Sequence, residues 1–177
     1  LYMENIAKFV VLKTCFCENQ ARSSGSLYIS NFNQMRISFS IFKQNVADHK
    51  GGCLFFKTTI ETFESRVLVN NVSFVNNIAK GKWAVLYTDY VKFVFFNLLN
   101  VSSASRHYFD SSLIDIHCRD LTMQRINFKN LVKHVTIVNL YFYVSAVIKE
   151  INFSCPTPSY LNELSFLRNS GNALQIS

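Results

Sequence analysis

The stretch Phe42–Phe56, FKQNVADHKGGCLFF, decides the fold because its pattern recurs along the chain. A hydrophobic strand ends at Phe42, and a polar corner follows at Asn45. The pair Gly51-Gly52 then makes a tight approach into a second strand, Cys53–Phe56. Strand, polar corner, glycine pair and strand together are typical of one half-turn of a parallel β-solenoid.

The same pattern returns at Phe74–Tyr87 and, one residue shorter, at Phe16–Tyr28. Repeats of about 24–32 residues built from short strands and polar corners indicate a solenoid, in which successive coils rise by about 4.8 Å. At a corner, asparagine tolerates a left-handed backbone, and its amide can bond the asparagine of the next coil. Stacking therefore predicts two inner columns and one corner ladder: Phe16, Phe42, Phe74, Leu98, Phe128 and Phe153; Leu27, Leu54 and Leu86; and Asn19, Asn45 and Asn77.

A two-part motif, F-x-x-N followed by G-G-x-[ILV], stands complete at Phe42–Asn45 and Gly51–Leu54. Weaker or compressed copies occur at Phe16–Asn19 with Ser24–Leu27, at Phe74–Asn77 with Trp83–Leu86, and at Phe166–Leu174. This motif resembles the repeats of polymorphic outer-membrane proteins and of related pectin-lyase-like surface proteins. The resemblance implies a right-handed parallel β-helix that is secreted or displayed on a cell surface, often for adhesion.

We therefore predict an all-β fold, a right-handed parallel β-helix of about six to seven coils, with residues 1–177 as a single domain. An irregular break is expected at 155–160, where both prolines lie, because proline cannot donate to a strand ladder. The chain starts at Leu1 in mid-pattern. We expect a fragment of a longer array whose targeting signals lie outside it.

A second class of solenoid also fits two segments. Leu161–Asn169 and Val69–Asn77 match L-x-x-L-x-L-x-x-N, the frame of leucine-rich repeats. Against this alternative, the spacing between copies is irregular, and no helical period fills the gaps. The leucine-rich repeat is kept as the rival fold.

Composition and charge narrow the functional classes. The chain is 49% hydrophobic and 15% aromatic, which supplies a core and argues against disorder. Its net charge of +7 comes from scattered Lys and Arg residues, which argues against nucleic-acid binding and favours acidic glycans or anionic surfaces. No apolar stretch reaches the roughly 18–20 residues of a transmembrane helix, so we expect no membrane span.

The cysteines include no C-x-x-C pair. Cys15 and Cys17 lie two apart and share a face if they lie in a strand, but two thiols without further ligands make a poor zinc site. We predict free thiols that pack as small hydrophobic groups, and we expect no metal ion and no cofactor. The five cysteines are Cys15, Cys17, Cys53, Cys118 and Cys155.

The best candidate for chemistry is the run Asp115–Asp120. In a strand, Asp115, His117 and Arg119 share one face. An acid, an imidazole and a guanidinium in a row suit binding or cleavage of an acidic sugar. The simpler interpretation is the solvated side of an ordinary strand with charges paired along its length.

A second candidate site follows from the repeat itself. If the leucine column faces inward, then Tyr28, Phe55 and Tyr87 face outward and stack as an aromatic ladder. Exposed flat aromatic rings suit sugar rings or a partner surface. The alternative is that an inserted loop such as Lys57–Arg66 covers them.

Three N-x-S sequons, at Asn71, Asn100 and Asn152, are candidate N-glycosylation sites if the protein is secreted. The sequence thus predicts a non-enzymatic secreted or cell-surface β-helix, adhesin-like or structural, that binds glycans or protein partners. A polysaccharide lyase or glycoside hydrolase of the same fold is the first alternative, although 11 acidic residues are few for the carboxylate clusters such enzymes need. A leucine-rich-repeat interaction module is the second alternative.

Overall fold

The computed structural model describes residues 1–49, 52–59, 64–81, 85–102, 113–129, 138–154, 164–168 and 173–176. Every regular element within these ranges is a β-strand, which confirms the predicted all-β class. The strands are β1 (Tyr2–Leu12), β2 (Cys15–Cys17), β3 (Gln20–Ala21), β4 (Leu27–Lys43), β5 (Val46–Ala47), β6 (Leu54–Lys57), β7 (Arg66–Val75), β8 (Ile78–Ala79), β9 (Leu86–Ser102), β10 (Ile114–Lys129), β11 (Val138–Ser154), β12 (Leu164–Arg168) and β13 (Ala173–Ile176).

The strands stack as a parallel solenoid. In the main sheet, β4 lies between β1 and the pair β6 and β7, and β9, β10 and β11 follow in that order. Strands β3, β5 and β8 form a second, small parallel sheet at one corner. The predicted parallel β-solenoid is confirmed, while its handedness and number of coils stay predictions.

One strand can continue through a corner of the coil. The residues at these corners have a left-handed backbone and stack on the equivalent residues of neighbouring strands. Non-glycine residues adopt this conformation uncommonly, so its repetition at equivalent positions marks these residues as bends. Apart from Ser24, the positive-φ residues other than glycine among the described residues fall into three sets: Asn5, Asn31 and Tyr90; Lys13, Phe39, Asn71, Leu98, Arg125 and Glu150; and Glu18, Gln44 and Asn76.

These corners divide the coil into three sides, on which inward and outward side chains alternate. The first side contains residues 2–4, 28–30, 54–57, 86–89, 114–117 and 138–141. The second contains 6–12, 32–38, 66–70, 91–97, 118–124 and 145–149. The third contains 15–17, 41–43, 72–75, 99–102, 126–129 and 151–154. The inward side chains of all three sides form one hydrophobic core.

Phenylalanine rings stack along the inside of the third side. The ring centroids of Phe16 and Phe42 are 4.9 Å apart, and those of Phe42 and Phe74 are 5.3 Å apart. Phe128 continues this column and pairs with Phe153 in the backbone register. The second predicted column also forms, with fully buried side chains in register at Leu27, Leu54 and Leu86.

The position predicted for Leu98 in the phenylalanine column is wrong. Val101 pairs with Phe74 and fills that place, whereas Leu98 lies at a corner with φ of 53°. The segment Leu99–Val101 repeats the hydrophobic-Asn-hydrophobic pattern of Ile126–Phe128. That match gives the correct alignment from sequence.

The corner ladder of asparagines is confirmed. Asn19 Nδ2 donates to Asn45 Oδ1 at 2.8 Å, and Asn45 Nδ2 donates to Asn77 Oδ1 at 2.9 Å. The left-handed backbone, however, belongs to the residue before each asparagine, as at Gln44 and Asn76. This bend aims the backbone N–H of Asn45 at Asn77 Oδ1, 3.0 Å away, so that both the amide and the backbone take part in the ladder.

Close contact between coils explains the glycines before the second strand. A Cβ added at Gly25 would lie 2.4 Å from the carbonyl oxygen of Gly52, a separation that real Cβ atoms do not show. Gly52 is itself buried, in agreement with the tight approach predicted for the glycine pair. Its neighbour Gly51 lies outside the described residues.

Cys15 and Cys17 form a disulfide, so the prediction that their thiols are free is wrong. Both lie in β2, and their Cα atoms are 5.8 Å apart, a separation that a disulfide spans. Cys53 and Cys118 are free and buried, as predicted. Cys155 lies outside the described residues.

Two further predictions concern the chain as a whole. The irregular break predicted at 155–160 lies outside the described residues. Strands as long as Leu27–Lys43 continue through parts of the coil where a leucine-rich repeat carries its helical or irregular segment, so the structure argues against that rival fold. In the described ranges, no helix of a length and apolarity suited to crossing a membrane is found.

Candidate functional site

The predicted aromatic ladder stacks along the outside of the first side. Tyr28, Phe55 and Tyr87 are in register on adjacent coils. The ring centroids of Tyr28 and Phe55 are 4.8 Å apart, as are those of Phe55 and Tyr87. The Tyr28 and Phe55 rings are stacked as the repeat predicts, with 13° between their planes, whereas the Phe55 and Tyr87 rings are in contact but tilted by 42°.

The ladder extends further than the sequence interpretation recognised. Tyr2 stacks on Tyr28 with ring centroids 4.8 Å apart. At the other end, the His117 ring lies 5.8 Å from that of Tyr87 and 4.1 Å from that of Tyr141. The ladder thus joins both candidate sites into one continuous row.

The expected exposure of the ladder is wrong for Phe55 and Tyr87, which are 9% and 8% exposed, whereas Tyr28 is half-buried. Stacking itself accounts for part of this burial, because each ring covers the flat faces of its neighbours. Those faces are the surfaces that a sugar ring would contact. Ligand binding by these three residues stays a prediction, restricted to ring edges and hydroxyl groups.

The Tyr2 end of the ladder is fixed by hydrogen bonds. A hydrogen bond with the Glu4 carboxylate raises the pKa of the Tyr2 phenol to about 12. The same bond, together with the Ser30 hydroxyl that donates to Glu4 Oε1 at 2.8 Å, lowers the pKa of Glu4. Tyr2 is therefore a neutral donor throughout the physiological pH range.

Asp115 and His117 come together at the other end of the ladder. His117 Nε2 lies 3.0 Å from Asp115 Oδ1, with the two side chains 27% and 7% exposed. The largely buried carboxylate lies beside the imidazole, while the ring stays within reach of solvent. This arrangement is the kind found in acid–base pairs, and it is also a common way to anchor a surface histidine.

Arg119 does not join this pair, so the predicted shared face is wrong for this residue. Its Nε lies 3.5 Å from Asp120 Oδ2, and Asp120 Oδ1 accepts a hydrogen bond from Ser145 at 2.6 Å. The strand register shifts on both sides of Cys118. Such bulges bend the strand and re-aim the residues that follow, which is why simple alternation fails here.

All three sequon asparagines reach the surface. Asn71 and Asn152 are exposed, and Asn100 is half-buried. Asn100 and Asn152 also belong to an amide ladder on the third side, in which Asn127 Nδ2 donates to Asn100 Oδ1 at 3.2 Å and Asn152 Nδ2 donates to Asn127 Oδ1 at 3.1 Å. Glycan attachment stays a prediction for each of them.

The outside of the second side is a broad surface that the sequence interpretation missed, and we name it the basic face. All its members except Ser38 are exposed or half-buried. It consists of three columns in register: Lys8, Gln34, Arg66, Phe93, Asp120 and Ser145; Val10, Arg36, Leu68, Phe95, Thr122 and Val147; and Leu12, Ser38, Asn70, Asn97, Gln124 and Lys149.

Charge within the columns of the basic face is mostly positive, and the Glu64 carboxylate beside them lies 3.9 Å from Arg66 Nη2. Within the three columns, Asp120 is the one carboxylate, and Arg119 and Ser145 already contact it. The Arg66 guanidinium lies 5.1 Å from the Phe93 ring centroid, a cation–π distance that holds the two side chains together. The cations of the columns are Lys8, Arg36, Arg66 and Lys149.

The described residues contain no group of three His, Cys, Asp or Glu side chains placed to hold a metal ion. Burial raises the pKa of both free thiols, Cys53 and Cys118, which keeps them protonated and unreactive. The expectation that the protein uses no metal or cofactor stays a prediction.

No protein-family model, curated protein or solved structure matches the chain. The parallel solenoid is thus established by the stacking of its own strands. The resemblance to polymorphic outer-membrane and pectin-lyase-like proteins stays a prediction.

Proposed function

We propose that this solenoid is a non-enzymatic, adhesin-like or structural protein of the cell surface or extracellular space, and that its basic face binds acidic glycans. The basic face carries the proposal, because its columns present four cations and a single carboxylate, Asp120, which Arg119 and Ser145 already contact. Of the four cations, Arg66 also lies 3.9 Å from the Glu64 carboxylate beside the face. A protein partner with an acidic surface is the alternative occupant.

The geometry of the basic face suits an extended polyanion. Its columns cross six strand segments in register, which corresponds to about 24 Å along the stacking axis. A chain that lies along the columns meets cationic groups on the first, second, third and sixth of these strands. The half-buried rings of Phe93 and Phe95 supply apolar surface for the flat faces of sugars between those groups.

The surface position of the sequon asparagines supports an extracellular location. The sequon asparagines reach the surface, where an attached glycan would have room, most clearly at Asn71 and Asn152.

We expect the double variant Arg36→Glu/Arg66→Glu to bind a sulfated or polyuronic polysaccharide about tenfold more weakly at roughly physiological salt, because two attractive charges become repulsive. The measurement is affinity by biolayer interferometry on immobilised polysaccharide, repeated at several salt concentrations. The wild-type affinity should fall as salt rises.

The matched control is Lys43→Glu/Lys129→Glu, which makes the same change in net charge on exposed residues of the third side. This control should keep most of the wild-type affinity. Equal losses of affinity in the two double variants would mean that the net positive charge of the whole protein, and not the basic face, attracts the polysaccharide. Binding to acidic proteins without binding to glycans would favour the alternative occupant.

A glycan-cleaving enzyme of the same fold is the second candidate, favoured by the 3.0 Å contact between Asp115 and His117. In that case His117 transfers the proton and Asp115 positions its ring. We expect any turnover of acidic polysaccharide to fall about 100-fold in His117→Gln, since general acid–base catalysis contributes at least this much. Product formation is followed by new reducing ends and by ultraviolet absorbance of unsaturated products.

Arg119→Gln is the control for this candidate, because Arg119 lies apart from the pair and should leave turnover nearly unchanged. Wild-type protein that releases no product from sulfated or polyuronic substrates would remove the enzyme candidate and leave the binding proposal in place.

A further inference from the structure

The Cys15–Cys17 disulfide supports an inference that does not depend on glycan binding. We propose that it is an exchangeable disulfide, a surface site that reacts reversibly with thiols, and that it does not serve to hold the fold together.

The strand around the disulfide is held in place without it. Cys15 pairs with Ile41 and Cys17 pairs with Lys43 in the parallel ladder. Backbone hydrogen bonds of 2.9 Å flank the pair, from Ile41 N to Thr14 O and from Glu18 N to Lys43 O. The disulfide closes a loop around a single intervening residue, so it restricts the unfolded chain very little.

The disulfide is accessible to a reacting thiol. Phe16, between the two cysteines, packs against the core, so both cysteines point outward. Cys15 is exposed and Cys17 is half-buried. The free cysteines Cys53 and Cys118 are fully buried in the core and offer an internal contrast.

Charge around the disulfide favours exchange. Lys43 is exposed and occupies the position next to Cys17 on the adjacent coil, and Lys13 precedes Cys15 by two residues on an exposed corner. Ammonium groups near a sulfur atom favour the thiolate that exchange releases. Glu18 is the one carboxylate next to the pair in sequence, and it lies beyond the strand at the following corner.

The chemistry is thiol–disulfide exchange with a low-molecular-weight or exposed protein thiol as reductant. An incoming thiolate attacks one sulfur, the Cys15–Cys17 bond breaks, and a mixed disulfide forms as the other cysteine leaves as a thiolate. A second thiolate then attacks the mixed disulfide and leaves as part of an external disulfide. Two electrons reduce the pair to a dithiol, and two external thiols are oxidised.

To test the proposal, the native full chain is incubated in buffers of reduced and oxidised glutathione. The samples are then quenched with acid, alkylated and analysed by peptide mass spectrometry. We expect Cys15 and Cys17 to be reduced and reoxidised together as the glutathione ratio changes, with an unchanged far-ultraviolet circular dichroism spectrum. Cys53 and Cys118 should stay unmodified. A pair that resists reduction until the protein is denatured, or whose reduction unfolds the strands, would overturn the proposal.

Variants separate exchange from a structural role. Cys17→Ser lacks the resolving thiol and should accumulate one glutathione at Cys15, while Cys15→Ser/Cys17→Ser should keep the thermal midpoint of the wild type. Lys43→Ala should slow exchange about threefold. Lys129→Ala should leave the exchange rate unchanged, because Lys129 lies in the same outward column but several coils away from the disulfide. Equal rates in the two lysine variants would refute the role of Lys43, and a large fall in thermal midpoint would identify the disulfide as structural.

Discussion

Phe42→Ala is expected to lower the free energy of unfolding by about 3–5 kcal/mol, the range for removing a buried aromatic side chain. The Phe42 ring is fully buried and stacks between those of Phe16 and Phe74. Its loss opens a cavity and also removes two stacking contacts, and neighbouring coils held by their backbone ladder cannot collapse into the space. Urea unfolding followed by circular dichroism measures the change.

Phe39→Ala is the matched control, three residues earlier on the same strand. The Phe39 side chain is 51% exposed at a corner, so its removal should change stability by less than about 1 kcal/mol. Comparable losses of unfolding free energy in Phe42→Ala and Phe39→Ala would show that the phenylalanine column inside the third side does not contribute the stability assigned to it.

Asn45→Ala is expected to cost about 3 kcal/mol, because it leaves several buried polar groups without partners. Asn45 is fully buried, and its Nδ2 donates to Asn77 Oδ1 and to the carbonyl oxygen of Phe16 at 2.9 Å each. Its Oδ1 accepts from the backbone N–H of Asn19 at 3.1 Å and from Asn19 Nδ2 at 2.8 Å. Chemical unfolding of the purified variant gives the loss directly.

Two further variants show whether hydrogen bonding or lost volume is responsible. Asn45→Asp keeps the volume but places a carboxylate against two acceptors, so it should destabilise at neutral pH, and the loss should shrink as acid restores one donor. Asn152→Ala removes an exposed amide that donates one 3.1 Å bond, and it should cost less than about 1 kcal/mol. A neutral Asn45→Asp would contradict the assigned role of the ladder.

The repeat predicted those parts of the fold that depend on stacking. Residues at equal spacing must lie above one another, so the leucine column and the Asn45 ladder follow from sequence alone. Leu98 falls outside the phenylalanine column because Leu99–Val101 is the segment that matches Ile126–Phe128, which puts Val101 in register with Phe74 and Phe128. Residue spacing along the sequence predicts a stacked column correctly only where the corner that precedes the column can be identified from the sequence.

The candidate sites depended on features that the sequence does not display. Arg119 departs from Asp115 because of register shifts, and nothing in the run of letters marks a bulge. No local pattern in the sequence marks the basic face, because its cations, such as Arg36 and Arg66, lie far apart in sequence and come onto one face through the strand register. The Cys15–Cys17 bond was missed because two cysteines on one strand face suggest either free thiols or a disulfide equally well.

Parallel pairing between successive coils makes the molecule a one-dimensional polymer whose units are the coils themselves. Each coil contacts its nearest neighbours across a junction formed by their paired strands. The stability of a coil is therefore the sum of a small intrinsic free energy and a large interaction free energy across each junction. A weakened junction, such as one beside Asn45, therefore divides the stack into two blocks that melt separately. The cooperativity of unfolding in this protein thus depends on the junctions between coils. The weakest junction limits the number of coils that unfold together.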